Sequence, residues 1–179
     1  MVSRRRRLTV TLIILALSIV LDQLTKIVAI EHLKHTAPRS YLGNLFRLEY
    51  SENPGAFLSL GATLPDSVRF WLLSVGVAVA LIALFVYVVF YSAATLKQSI
   101  GMVLLISGGL SNLIDRLFRA SGRVVDFMNM GIGDLRTGIF NVADVLIMVG
   151  VGLTLIWGNQ SEQEATRASR TDPAENSAP

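Results

Sequence analysis

Hydrophobic and polar positions alternate in long blocks rather than at short periods. Residues 8–30 are apolar but for Asp22 and Lys26, residues 67–91 are apolar apart from Arg69, and residues 99–117 stay uncharged until Asp115 and Arg116. Residues 140–157 carry Asp144 as their one charge. A helix needs about 20 apolar residues, within a range of about 17–25, to cross the hydrocarbon core of a bilayer. The pattern therefore predicts four transmembrane helices, at about 8–30, 67–91, 99–117 and 140–157. Aromatic residues flank the second, Phe70 and Trp71 at one end and Tyr87, Phe90 and Tyr91 at the other, as in interfacial belts. Gly101, Ser107, Gly108, Gly109 and Ser111 give the third span small positions at which helices can approach closely.

The polar blocks differ in kind. Residues 31–66 are too long for a turn. Within them Phe46-Arg47-Leu48-Glu49-Tyr50-Ser51 alternates with the strand period, and Asn53-Pro54-Gly55 marks a turn. A small β element followed by an interfacial segment at 56–61 is expected there. Residues 118–138 read as a second polar connection, and residues 159–179, rich in Ser, Glu, Gln and Thr, as a disordered tail. The expected fold class is an all-α polytopic membrane protein, one domain over 1–158, with a small extramembrane β element and an interfacial segment.

Composition agrees with the pattern. The 179 residues are 52% hydrophobic and 16% charged, with a mean hydropathy of +0.54. Cysteine is absent, which removes disulfides, thiol nucleophiles and cysteine-ligated metals. The net charge of +3 arises partly from four arginines at 4–7, a topology signal rather than a nucleic-acid patch. That run also resembles the n-region of a signal peptide, but the apolar pattern continues past Asp22 to Ile30, which favours an uncleaved span. With four spans both termini lie on one side, and the arginines place that side in the cytoplasm.

Candidate chemistry sits where the apolar blocks meet the connections. Asn112, Asp115 and Arg116 share a face of the third helix, and Asn141 and Asp144 share a face of the fourth. Asp126 follows the third helix in the same layer. Asp115 is expected to pair with Arg116 or, across the loop, with Arg123. Asp22 and Lys26, at i and i+4, neutralise each other either as a plain ion pair or as part of the site. Two carboxylates in one partly desolvated place cannot both ionise cheaply, so Asp126 and Asp144 suit an aspartyl mechanism: one activates water while the other, protonated, polarises a carbonyl. His32 and His35 read as an exposed helix end. Gly131-Ile132-Gly133-Asp134 spells GxGD, a motif of one class of intramembrane aspartyl proteases, but its turn-rich surroundings favour a loop. The rival class is an ion-coupled transporter or scaffold with Asp22, Lys26, Asp115 and Asp144 as a proton relay. A relay should place charges at mid-depth and on both sides, whereas these cluster at one face.

Five blocks in order resemble the lipoprotein signal peptidase (signal peptidase II) family: Asp22-Gln23-Leu24-Thr25-Lys26; Asn53-Pro54-Gly55-Ala56-Phe57; Gly108-Gly109 with Asn112-Leu113-Ile114-Asp115-Arg116; Val124-Val125-Asp126-Phe127; and Phe140-Asn141-Val142-Ala143-Asp144. The first loop departs from the usual N-x-G-A-A-F by being one residue short, and Ser111 stands where glycine is usual. The resemblance implies an endopeptidase of the bacterial inner membrane that cuts diacylglyceryl-modified prolipoproteins before the lipidated cysteine, at the periplasmic face. It puts the catalytic dyad on Asp126 and Asp144. Supporting or substrate-binding roles fall on Asp22, Lys26, Asn53, Gly55, Asn112, Arg116 and Asn141. It further implies no metal or other cofactor, lipidated prolipoprotein substrates, membrane lipid as surroundings, sensitivity to globomycin-type inhibitors and a monomer.

Overall fold

The computed structural model describes residues 4–56, 61–91 and 96–171. Helix α1 (Arg4–Leu33) is unbroken. A second rod is built from α2 (Asp66–Arg69), a π-helical stretch (Phe70–Gly76), α3 (Val77–Val86) and a second π stretch (Tyr87–Tyr91). Helix α4 (Leu96–Phe118) and helix α5 (Val142–Thr171) follow. Among the described residues three helical segments are long and apolar enough to cross a membrane, Arg5–Leu33, Asp66–Phe90 and Ser99–Phe118; Val142–Gly158 is a shorter apolar helix.

Burial on α1 is inverted relative to a water-soluble helix. Leu12, Ile13, Leu17, Val20, Leu21, Leu24, Ile27 and Val28 are exposed, while Thr11, Ser18, Asp22 and Lys26 are buried. Spacings of seven, four and four put those polar residues on one stripe, turned toward the other helices. Lipid solvates the leucines as well as a protein core would, so the polar stripe is what must be enclosed. This is a multi-pass membrane protein.

Helices α4 and α5 form the most extensive helix–helix interface. Glycine makes it possible. A Cβ on Gly108 would lie 2.4 Å from the carbonyl oxygen of Ala143, and one on Gly150 would lie 2.6 Å from that of Gly101. Backbones this close leave room for hydrogen alone. Gly109 faces α3 instead, against Leu81.

Both connections lead into one four-stranded antiparallel sheet, in the order β1 (Arg39–Tyr41), β2 (Phe46–Asn53), β3 (Val124–Ile132) and β4 (Leu135–Arg136). The stretch read from sequence as a polar connection is thus half strand. Val124, Val125, Asp126 and Phe127 are all buried, so β3 is covered on both faces and lacks the alternation that betrays a one-sided strand. Strand β2 pairs with β3 in a register that sets Ser51 opposite Asp126 and Asn53 opposite Val124, with an irregularity between Leu48 and Ser51. Phe127 packs with Ala29 and Leu33, which seats the sheet on the end of α1. Gly133 and Asp134 form the turn between β3 and β4, so the GxGD sequence is a hairpin tip, with Gly133 at φ 58°. His32 and His35 are exposed at the end of α1.

Two boundaries differ from the sequence reading. Helix α5 starts at Val142, not Phe140, because Phe140 is held in a β-bridge to Met128. At its other end α5 continues to Thr171 instead of stopping near Trp157, through a stretch made of good helix formers such as Gln160, Glu162, Glu164 and Ala165. Of the expected interfacial segment, residues 57–60 lie outside the described residues, as do the last eight residues of the expected tail.

Candidate active site

Polar side chains converge where α1, α4 and α5 meet the sheet. Asn141 is the residue before α5, and it and Asp144 cap each other. The Asp144 backbone N–H donates to Asn141 Oδ1 at 2.9 Å, and the Asn141 backbone N–H donates to Asp144 Oδ2 at 3.1 Å. This is the capping-box arrangement, with Asn and Asp in place of Ser and Glu. It places Asp144 in the first helical turn, where the N-terminal dipole favours a negative charge.

Three amides are turned the same way. Lys26 Nζ can only donate, and it donates to Asn112 Oδ1 at 2.9 Å. That fixes the amide, so Asn112 Nδ2 faces Asp144 Oδ1, at 3.0 Å. Asn141 Nδ2 donates to Asp126 Oδ1 at 2.6 Å and to Asn112 Oδ1 at 3.1 Å. Asn53 Oδ1 accepts from the Gly55 backbone N–H at 2.8 Å, which leaves its Nδ2 to donate to Asp126 Oδ2 at 2.9 Å. Both aspartates are buried and both are held by Asn141.

Behind them lies a second buried layer. Lys26 Nζ is 2.8 Å from Asp22 Oδ2 and 3.0 Å from Asp115 Oδ2, so with Asn112 its three protons are all taken. Asp22 also accepts from Ser111 Oγ at 2.7 Å and from the Ala143 backbone N–H, at the mouth of α5, at 2.8 Å. Asp115 pairs with Arg119 at 2.9 Å and accepts from Gln23 Nε2 and the Val125 N–H. It pairs with neither Arg116 nor Arg123, the partners expected from sequence. The i,i+4 residue Arg119 lies on its own helix face, whereas the adjacent Arg116 points elsewhere. Arg116 instead donates to the carbonyls of Gly55, at 2.6 Å, and Asn112, at 3.3 Å.

Every expected site residue therefore enters one network: Asp22, Lys26, Asn53, Gly55, Asn112, Arg116, Asp126, Asn141 and Asp144. Sequence reasoning missed Ser111 and Gln23 as hydrogen-bonding members and left Asp115 as a structural candidate. The i,i+4 pair Asp115 and Arg119 was the available signal. Among the described residues no cluster of three His, Cys, Asp or Glu suits a metal.

The charges are nearly balanced. Four buried carboxylates (Asp22, Asp115, Asp126, Asp144) face three cations (Lys26, Arg116, Arg119). One proton on the Asp126–Asp144 pair makes the cluster neutral. Burial pushes the Asp126 carboxyl up to about 7, and the charge of Asp144 adds to this, against the donors Asn53 and Asn141. Because this pKa is raised on folding, the folded state holds a proton that the unfolded chain has lost between about pH 4 and 7. The stability tied to that proton is complete below about pH 4 and is lost as pH rises through 7. Thermal unfolding in detergent should show the parent losing stability relative to Asp126→Asn across that window. Parallel pH profiles for the two proteins would remove the protonated carboxyl.

Comparison with known proteins follows the same lines. The family model described as Signal peptidase (SPase) II matches residues 14–158. A lipoprotein signal peptidase of Chlorobium phaeobacteroides is 40% identical over 156 residues, covering 81% of this chain and 92% of that protein. One of Borrelia hermsii is 31% identical over 169 residues, covering 90% and 96%. Two solved bacterial membrane enzyme structures, obtained by the in meso method, match with TM-scores of 0.73 and 0.68 at 25% and 27% identity. They cover 87% and 83% of this chain and 91% of each of theirs.

Proposed function

Since the chain belongs to the signal peptidase II family, we propose that Asp126 and Asp144 are its catalytic pair. The enzyme is an aspartic protease of the membrane that processes lipoprotein precursors. The observation that carries the assignment is Asn141, whose amide donates to Asp126 while its side-chain oxygen and backbone N–H hold Asp144. A group that bridges two buried carboxylates keeps them in one desolvated place, where they share a proton.

The reaction follows from that shared proton. The ionised aspartate removes a proton from a water between the pair, and the resulting hydroxide attacks the scissile carbonyl. The protonated aspartate donates to the carbonyl oxygen as charge develops there. Collapse of the tetrahedral intermediate breaks the C–N bond, and an aspartate returns a proton to the leaving amine. Asn53, Asn112 and Asn141 orient the carboxyl groups. Arg116, bonded to the Gly55 carbonyl, ties the loop after β2 to the end of α4.

In this reading Arg5–Leu33, Asp66–Phe90, Ser99–Phe118 and Val142–Gly158 are four spans of the bacterial inner membrane, and both termini are cytoplasmic. The sheet and the dyad lie at the periplasmic face. The substrate is a diacylglyceryl-modified prolipoprotein cut before its lipidated cysteine, globomycin-type inhibitors occupy the dyad, and the enzyme acts as a monomer. Two acyl chains hold the scissile bond at the membrane surface, as single chains do only weakly. Purified enzyme is therefore expected to cut lipidated precursor at least about tenfold faster than the same precursor without lipid. Equal rates would defeat the substrate assignment.

A further inference from the structure

A cleft of about 260 Å³ opens at the sheet end of the bundle, between the start of the second rod and the end of α4. Its walls carry three guanidinium groups, Arg69, Arg116 and Arg123, against one carboxylate, Asp66. Arg69 is already committed. It pairs with Asp66 and donates to the carbonyls of Ala62 at 2.6 Å and Leu64 at 3.0 Å. Arg116 uses its two terminal nitrogens on Asn112 and Gly55, while its buried Nε has no acceptor among the described residues. Arg123 is exposed, and no hydrogen bond or ion pair joins it to another described residue. Asp66 offsets Arg69 and the buried aspartates offset Arg116, so the positive charge of Arg123 is the one left without a carboxylate among the described residues.

This cleft adjoins the dyad through three hydrogen bonds. Arg116 holds the Gly55 carbonyl, the Gly55 N–H holds Asn53, and Asn53 holds Asp126. A peptide lying across the dyad sends its signal helix into the bilayer and its mature segment toward water. The cleft lies on the second route, since the Asp66 side chain on its rim is 92% exposed and Ser121–Arg123 belong to the turn before β3. An arginine fork matches a carboxylate in shape as well as charge, and a buried guanidinium N–H without an acceptor is costly to leave so.

We propose that this cleft selects an acidic side chain on the mature side of the scissile bond, a few extended residues past the cut. The inference rests on the peptidase reading above and names a specificity within it. Arg123 is the selecting residue; Arg116 lies on the border between cleft and dyad.

The test uses the full-length enzyme and lipidated peptides that differ only at the third mature residue, as Asp, Asn or Lys. Cleavage is followed in vesicles of phosphatidylcholine alone and with phosphatidylglycerol mixed in. The parent should show a KM about fivefold lower for the Asp peptide than for the Lys peptide, with kcat unchanged, the upper end for an exposed ion pair. Arg123→Gln should flatten the ranking and Arg123→Glu should invert it. Equal KM values in the parent, or an unchanged ranking in Arg123→Glu, would overturn the proposal. So would an effect of Arg123→Glu that is equal for all three peptides and confined to phosphatidylglycerol vesicles, since the cleft would then serve a lipid headgroup. If the parent cut none of the peptides, the peptidase reading itself would fall, and this specificity with it.

Discussion

Replacing either Asp126 or Asp144 by Asn is expected to lower the cleavage of lipidated precursor by at least about 10³-fold, within the range for loss of a positioned acid or base. Either change removes the one group that the other cannot replace. With Asp126→Asn, Asp144 is left without a carboxyl partner to hold the second proton. With Asp144→Asn, the same is true of Asp126. The protein should still insert and fold, because each Asn fills nearly the volume of the Asp and leaves Asn141 between the two positions. Asp134→Asn is the control. It lies in the hairpin tip beside Gly133 and should keep the parent rate. Near-parental turnover in either dyad variant, with insertion intact, would disprove the pair; loss of activity in Asp134→Asn would revive the GxGD motif.

The transmembrane helices were legible because lipid accepts few backbone solutions: an unbroken apolar run must be a helix. The two buried aspartates of the candidate site were legible for the converse reason. Asp126 and Asp144 lie beside runs that give a charge no reason to be there, and Asn141 with Asp144 is a local capping pattern readable from four residues. Strand β3 was hidden, because burial on both faces erased its period. With it went the β2–β3 pairing, which brings Asn53 to Asp126 across 73 positions of chain. No local pattern encodes that approach. The partners of Asp115 were hidden in a similar way. Lys26 reaches it from another helix, and only the close packing of α1 on α4, with Ser111 and Gln23 between them, settles the match.

That second layer carries the largest expected effect on stability. Lys26→Met keeps the length of the side chain but removes a fully buried cation that serves Asp22, Asp115 and Asn112 together. Asp115 retains Arg119, whereas Asp22 is left with only neutral donors, Ser111 and the Ala143 N–H. Removing one partner of a buried ion pair costs about 3–5 kcal/mol, because the remaining charge stays desolvated. Unfolding in a denaturing detergent should reveal a loss of that order. Adding Asp22→Asn to Lys26→Met should recover a large part of it, since the uncompensated charge is gone. Activity should not recover with it. Lys26 is the nearer of the two donors that turn the Asn112 oxygen away from Asp144, the other being Asn141 Nδ2, so in the double variant that amide is held less firmly and the donor to Asp144 is weakened. A Lys26→Met protein within about 1 kcal/mol of the parent would mean that the three-way pairing contributes little. A double variant with full activity would mean that the orientation of Asn112 does not depend on the lysine.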